Sequence, residues 1–378
     1  MRKSYQICTR CVMDTTDPDI KFNEDGVCNH CRNYDLRAAK DIFQGEEGKE
    51  KLLKLVQRIK KDGRGKQYDC VIGLSGGVDS SLVAYYVKQL GLRPLAITLD
   101  NGWNSETSES NIDNIVKKLG FDLYKYVIDW EEFRDLQVSF FKSGICNLEI
   151  PTDHAISAIM VNTATKKGIK YFITGYNLAT EGILPDSWGY DSFDLKLIHA
   201  IHRKFGKVPL SSFPQLGLLP RLYYVYMQRL REVPLLDYVD YNRSEAELLL
   251  KKEIGWRDYG GKHGESIFTR FYQGFIATHK FGYDKRRAHL SSMICSGQMT
   301  RIEALEIVMK DPYPSSELLH EDKEYVIKKL GFSEEEFDQL MAAPVKTYRE
   351  YPNDDALRQT LRMVRSLLLK MKGVFQGH

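Results

Sequence analysis

Apolar positions along this chain follow two rhythms. Residues 46–61 set Leu52, Leu53, Val56 and Ile59 on one helical face, which predicts an amphipathic helix. The Gly- and charge-rich stretch 62–67 predicts a hinge or linker. From Tyr68 onward, short apolar runs alternate with helix-spaced segments. Residues 69–74 predict a buried strand, and 82–90 a helix stopped by Gly91. Further strands are expected at 94–99, 124–128 and 171–174, with a short one at 234–238. Between them fall a helix carrying Ile112, Ile115, Val116 and Leu119 and another over 155–165. This alternation implies an α/β fold with a doubly wound parallel sheet over 68–241, whose ligands sit beyond the carboxyl ends of the strands. After Gly255 the strand signal ends. Ser244 with Glu247 predicts a capping box for a helix closing before Gly255. Thr300 with Glu303 and Ser333 with Glu336 open two more, and 357–369 is a long periodic segment. A helical C-terminal domain is expected over 242–378.

One junction in this pattern carries chemistry. Residues 71–81 run Val-Ile-Gly-Leu-Ser-Gly-Gly-Val-Asp-Ser-Ser, a strand passing through a Gly-rich turn into a helix. Gly76 and Gly77 let the backbone bend tightly and bring its N–H groups to the helix start. Partial positive charge and unpaired donors there make a phosphate seat. Leu74, Ser75, Gly76, Gly77, Asp79, Ser80 and Ser81 are therefore candidate nucleotide contacts. No Gly-Lys-Ser/Thr follows, so no lysine is placed for a γ-phosphate as in a Walker loop. Ser75 to Ser80 resembles the signature of the PP-loop ATP pyrophosphatase superfamily. The resemblance implies that ATP is cleaved between the α and β phosphates, that a substrate oxygen is adenylylated, and that a nucleophile then displaces AMP.

Four of the seven cysteines cluster near the N-terminus as Cys8-x-x-Cys11 and Cys28-x-x-Cys31. Two such knuckles complete a tetrahedron of thiolates around zinc, and an iron–sulfur cluster is the rival occupant. The turn-rich segment between them has little core of its own, so metal binding and folding are expected to be coupled. A zinc ribbon over 1–35 and a helix with linker over 36–67 complete the domain plan. The clustering fits a metal site in a reducing compartment rather than a disulfide framework. A net charge of +3 is too small to imply nucleic acid as a partner unless the cations cluster. No apolar run reaches the length of a membrane span, and no signal core follows Met1, so the cytoplasm is the expected location.

Asp100 follows the second strand on the edge that carries the phosphate turn. There it either meets magnesium or ATP, or shapes the Asp-Asn-Gly turn. Thr174, Gly175 and Asn177, with Glu181 beyond them, end the fourth strand. They are similar to the Gly-Thr-x-Asn-x-x-Glu element of NAD synthetases, with Thr and Gly exchanged and the acid one residue later. That likeness implies a magnesium role for Glu181. Asp79, Ser80, Asp100 and Glu181 are thus the residues expected to serve the chemistry, with Thr174, Gly175 and Asn177 beside the nucleotide. Lys285, Arg286, Arg287 and His289 form the most cation-rich patch. It suits an anionic substrate or else a solvated helix face, and His263 and Arg270 carry the same two readings. Cys70, Cys146 and Cys295 are scattered, and none stands in a nucleophile elbow. Residue 2 is Arg2 rather than a terminal cysteine nucleophile, so ammonia for any amidation would come from another polypeptide.

The opening Cys8-Thr-Arg-Cys11-Val-Met-Asp-Thr-Thr-Asp-Pro-Asp-Ile20, the Gly26-Val-Cys-Asn-x-Cys31 knuckle, Ser75 to Ser80 and the 280–292 block together resemble the N-acetyl sugar amidotransferases. That group includes WbpG-like O-antigen and PseA-like pseudaminic-acid enzymes, and the resemblance spans nearly the full length. It implies conversion of a sugar or nucleotide-sugar acetamido group to acetamidino, using ATP, Mg2+ and structural Zn2+. It also implies a HisH-like glutaminase partner and, in some systems, a HisF-like protein. A PP-loop enzyme of tRNA sulfur transfer is the alternative, since such enzymes also combine this turn with zinc ribbons.

Overall fold

The computed structural model describes residues 4–260, 264–361 and 363–364. Five parallel strands form the sheet: β1 (Cys70–Gly73), β2 (Pro94–Asp100), β3 (Asp122–Val127), β4 (Tyr171–Thr174) and β5 (Arg231–Pro234). Their spatial order is β3-β2-β1-β4-β5, so β1 is central and Val71 pairs with both Leu95 and Phe172. The order reverses at β1, and the crevice beyond its carboxyl end is where doubly wound sheets take ligands. The helices used below are α1 (Asn29–Asp41), α2 (Gly45–Asp62), α3 (Val78–Gln89), α4 (Glu106–Leu119), α5 (Trp130–Ser143) and α6 (Ile150–Lys166).

Alternation along β1 sorts its side chains. Cys70 and Ile72 enter a core on one face with Leu82, Val83 and Val87 of α3, Ile112 and Ile115 of α4, and Leu52, Val56 and Ile59 of α2. Val71 enters the opposite core with Leu95, Ile97 and the α6 residues Ala158, Met160 and Val161. A third cluster joins Cys8, Cys11, Cys28 and Cys31 to Phe133, Leu136 and Phe140 of α5 and to Phe268, Phe271, Val326 and Phe337 of the C-terminal helices. Ribbon, sheet flank and C-terminal helices therefore share one apolar body.

Three local expectations are corrected. The strand expected at 234–238 lies earlier, at β5. Pro234 ends it because it has no N–H to donate, and a 3-10 turn occupies Leu235–Tyr238. The helix Arg243–Ile254 is capped not by Ser244 but by Asn242, whose side chain accepts from the Glu245 N–H. Helix α6 begins five residues before the expected 155, with Pro151 in its first turn. The expected ribbon boundary at residue 35 falls inside α1. The capping boxes at Thr300 and Ser333 are present with both halves formed. Among the described residues after Gly255 no extended strand occurs, and the periodic segment 357–369 lies partly outside the described residues.

Candidate functional site

A cavity of about 700 Å³ opens beyond the carboxyl ends of β1, β2 and β4. Leu74, Ser75, Gly77, Asp79 and Ser80 line it from the turn between β1 and α3. The turn depends on Gly76, whose φ is +76° and where an added Cβ would lie 2.5 Å from the Ser108 carbonyl oxygen. The Gly76 carbonyl accepts from Trp256 Nε1 at 2.9 Å and Asn111 Nδ2 at 3.2 Å, while Ser108 Oγ donates to the Ser75 carbonyl at 2.8 Å. Three residues from outside the turn, Trp256, Asn111 and Ser108, thus hold its shape. Ser75 Oγ and Ser80 Oγ sit 3.1 Å apart, and the Gly77 N–H donates to Ser75 Oγ at 3.2 Å. The Val78 N–H donates to the Tyr259 hydroxyl at 3.3 Å. The first donors of α3 therefore meet hydroxyl oxygens where a phosphate oxygen fits. Ser81 is buried, and its hydroxyl turns back to the Gly77 carbonyl at 2.6 Å, so it supports the helix rather than the cavity wall.

The β4 side closes against this turn. A Cβ on Gly175 would come within 2.9 Å of the Ser80 nitrogen, so only glycine permits that approach. Thr174, Gly175, Tyr176 and Glu181 line the cavity. Asn177 does not; it is buried, accepts from the Thr180 N–H at 2.9 Å, and caps the short helix that presents Glu181. Asp79 accepts from the Tyr241 hydroxyl. Burial and then Asp79 raise the Tyr241 pKa. Burial alone would lower Arg243, yet Asp79 raises it, so a protonated guanidinium stands in the wall.

Asp100 is a correction. Its carboxylate pairs with Lys125 at 3.0 Å and accepts from the Gly102 N–H at 3.1 Å, which is the turn-forming role. The next residue, Asn101, lines the cavity instead. Side chains alternate across a strand end, so the one-residue offset decides which faces the ligand crevice.

The cation-rich helix Lys285–Cys295 is a second correction. Lys285 alone of the four candidates reaches the cavity, where its ammonium meets Glu149 at 3.0 Å. Arg286 is tied to Asp284 and to the carbonyls of Lys310 at 2.9 Å and Ile307 at 3.2 Å. Arg287 pairs with Asp14 at 3.1 Å and donates to the Val12 carbonyl at 2.8 Å. His289 Nδ1 lies 2.6 Å from the Thr180 carbonyl oxygen. Arg270 is bound to Asp322 at 2.7 Å, and His263 lies outside the described residues.

Residues without any sequence motif complete the cavity. Glu149, Asp153, Glu265 and Gln273 line it together with Arg243 and Tyr259. Gln273 Nε2 donates to Glu149 at 3.2 Å. Protein walls and the Glu149 charge raise the Asp153 pKa above the usual carboxylate range, with Lys285 opposing. Burial alone would lower the Lys285 ammonium, but Glu149, Asp153 and Glu181 raise it beyond its ordinary value. The early start of α6, marked by Pro151, is the one signal that would have brought Glu149 and Asp153 to this edge.

Away from the cavity, the four N-terminal Sγ atoms lie within 4.8 Å of one another, all buried. The separations are 3.9 Å for Cys8–Cys31 and 3.7 Å for both Cys11–Cys28 and Cys28–Cys31. Four converging thiols fit a metal site. Arg301 donates to the Cys8 carbonyl at 2.9 Å, and Ser291 Oγ accepts from the Val12 N–H at 3.2 Å, fastening the knuckles to the C-terminal helices. His30 stands beside the site, its Nε2 2.6 Å from Asp17.

With that geometry, the class is an ATP-using PP-loop fold, and comparisons with known proteins agree. Residues 50–137 match the NAD synthase family, and residues 265–367 match the C-terminal domain of the LPS biosynthesis protein WbpG-like family. The chain is thus similar to WbpG-like proteins over its C-terminal part and to NAD synthases over the phosphate-turn region. It is 26% identical over 216 residues to a tRNA-specific 2-thiouridylase, MnmA 2, of Fusobacterium nucleatum subsp. nucleatum, covering 54% of this chain and 57% of that protein. It is 29% identical over 133 residues to the tRNA-specific 2-thiouridylase MnmA of Pediococcus pentosaceus, covering 29% and 33%. The chain thus spans 57% and 33% of the length of these two relatives. Among solved structures it is similar to the NH3-dependent NAD synthetase of Campylobacter jejuni, at 17% identity and a TM-score of 0.29 over 41% of this chain and 72% of that one. It is also similar to the U34-tRNA thiolase NcsA of Methanococcus maripaludis, at 16% identity and a TM-score of 0.33 over 66% and 79%.

Proposed function

We propose that this chain is an ATP-dependent amidotransferase that converts the N-acetyl group of a sugar or nucleotide sugar to acetamidino, in surface-polysaccharide or flagellin-glycan biosynthesis. One observation carries the proposal: the segment matching the WbpG-like family contributes Ser266, Thr269, Gln273 and Lys285 to the same cavity as the phosphate turn. An amide carbonyl is a weak electrophile with a poor leaving group. Its oxygen would attack the α-phosphorus of ATP as the amide N–H proton is released to solvent, giving an O-adenylyl imidate and pyrophosphate. Ser75, Gly77, Val78 and Ser80 present donors for the departing phosphates, and Arg243 supplies countercharge. Glu181 and Asp79 are the cavity carboxylates suited to magnesium, which would neutralise phosphate charge when bound. Ammonia would then replace AMP, supplied by a HisH-like glutaminase and in some systems through a HisF-like protein. The thiol separations match a tetrahedron with bonds of about 2.3 Å and edges of about 3.8 Å, which favours one structural zinc over a larger iron–sulfur cluster. No helix among the described residues is long and apolar enough to cross a membrane, and the cytoplasm is the proposed location.

The two thiouridylase relatives favour a second reading, tRNA sulfur transfer. Against it, none of Cys70, Cys146 and Cys295 lines the cavity, and burial raises the Cys70 and Cys146 thiols, which disfavours the reactive thiolate. Incubation with ATP, ammonium chloride and a panel of mono- and diacetamido sugars distinguishes the two. AMP, pyrophosphate and a sugar in which NH replaces oxygen are expected. ADP as the product would sink the adenylylation scheme, and sulfur incorporated into tRNA would establish the second reading in its place.

A further inference from the structure

The helix Leu218–Tyr226 wears its apolar stripe on the outside. Leu219, Tyr223, Tyr226 and Met227 recur at the spacing of one helical face, the stripe that ordinarily packs inward. Here they are 75%, 52%, 58% and 72% exposed, and no residue of the helix is fully buried. The helix is anchored from its other side. Tyr224 packs against the core that holds Leu216 and Leu230, and the Arg221 guanidinium lies 3.6 Å from the centre of the Phe193 ring. Phe193 lines the cavity, so the helix flanks it with the apolar stripe directed to solvent. The surrounding chain is basic. Residues 195–231 hold seven Lys or Arg and no Asp or Glu, although the whole chain carries only +3. The first acid beyond them, Glu232, lines the cavity. Arg229 and Arg231 follow directly on the stripe and are exposed, and no ion pair to either occurs among the described residues.

We propose that the helix Leu218–Tyr226, with Arg229 and Arg231, docks this protein on an anionic lipid surface with the cavity alongside. A bilayer face matches the segment in both of its properties. Aliphatic side chains reach the acyl boundary, tyrosine rings settle at headgroup level, and arginines meet lipid phosphates. RNA would meet the arginines and tyrosines but leave Leu219 and Met227 wet. An apolar groove on another protein would take the stripe without calling for cations. At 1.5 Å per residue the helix is about 14 Å long, so it lies in the interface plane rather than crossing it. The proposal goes beyond the amidotransferase reading and does not rest on it, since it concerns where the cavity is held rather than what reacts there.

Sedimentation of the full chain with phosphatidylcholine vesicles, with and without about 30% phosphatidylglycerol, tests it. Binding is expected on the anionic vesicles, about tenfold weaker or more on the neutral ones, and reduced by salt. Leu219→Ser with Met227→Ser should weaken it about tenfold by removing buried aliphatic groups. Arg229→Gln with Arg231→Gln should weaken it by about fivefold per charge. All four side chains are exposed, so the thermal midpoint and ATP affinity of both variants should match the parent's. Tyr226→Gln alone serves as the apolar probe if the serine pair lowers the midpoint. A parent that ignores both vesicles, equal binding to neutral and anionic lipid, or variants that bind like the parent would overturn the docking surface. RNA retained on a filter by the parent and lost with the arginine pair, without vesicle binding, would put a nucleic acid there instead. A dimer dissolved by the serine pair would put a second copy of this chain there. Amidination assayed without vesicles reads the enzymatic reading separately, so either can fail alone.

Discussion

The turn at 74–81 and the cation-rich helix at 285–289 are both dense in groups that attract anions, yet they meet opposite fates. The turn presents backbone donors and two serine hydroxyls to the cavity. The helix turns three of its four candidates away from the cavity: Arg286 to Asp284 and carbonyls, Arg287 to Asp14 and Val12, His289 to Thr180. A site made from backbone is set by local φ and ψ, so its composition declares it. A site made from long charged side chains depends on which partner reaches each head group first, and here buried carboxylates and orphan carbonyls do.

That contrast can be tested, and metal removal should have the largest effect. The Cys8–Cys31 knuckles are fastened by Arg301 and Ser291 to the helices around the cation-rich segment. Bound thiolate-held metal contributes on the order of 10 kcal/mol to small domains of this kind. Chelation should therefore lower the thermal midpoint sharply, while ATP affinity measured well below that midpoint stays within several-fold. Equal losses of both would tie the phosphate seat to the ribbon and erase the contrast. Next comes Arg287→Ala, which takes the paired cation from the buried Asp14 carboxylate and leaves it only the Tyr5 and Thr16 hydrogen bonds. A loss of about 3–5 kcal/mol in unfolding free energy is expected with unchanged ATP affinity. Weaker ATP binding at full stability would return Arg287 to the ligand.

Gly76→Ala is the matching change in the turn. Left-handed backbone costs an alanine about 1–2 kcal/mol, and the contact with the Ser108 carbonyl adds to it. Calorimetry should find ATP binding weakened by about tenfold or more; binding like the parent's would put the phosphates elsewhere. The smallest effect expected is a gain. Tyr259→Phe removes the hydroxyl that accepts from the Val78 N–H and frees that donor for a phosphate oxygen. ATP affinity should rise a few-fold, about the worth of one modest hydrogen bond. A fall instead would make Tyr259 a nucleotide contact.

Much of the sheet was legible because its signals are local. Residues 171–174 form a strand over the expected span, and residues 69–74 and 94–99 differ from β1 and β2 only at their ends. Both acid-closed capping boxes formed because the side chain and the N–H it caps lie three residues apart. The strand at 234–238 was displaced because pairing with β4, a long-range contact, selected Arg231–Pro234 instead. Asp100 and Asn101 exchanged roles through strand pleat and the nearness of Lys125, neither of which a turn motif encodes.

Short-range grammar was enough to announce a glycine turn between strand and helix and four thiols in two tight pairs, because each needs only a few consecutive residues to take shape. Which charges face the ligand, that Lys285 joins Glu149 across 136 residues of chain, and that Tyr259 rests on the helix start, were settled by packing. Side chains far apart along the polymer choose partners only once burial has brought them together and made an unpaired charge costly.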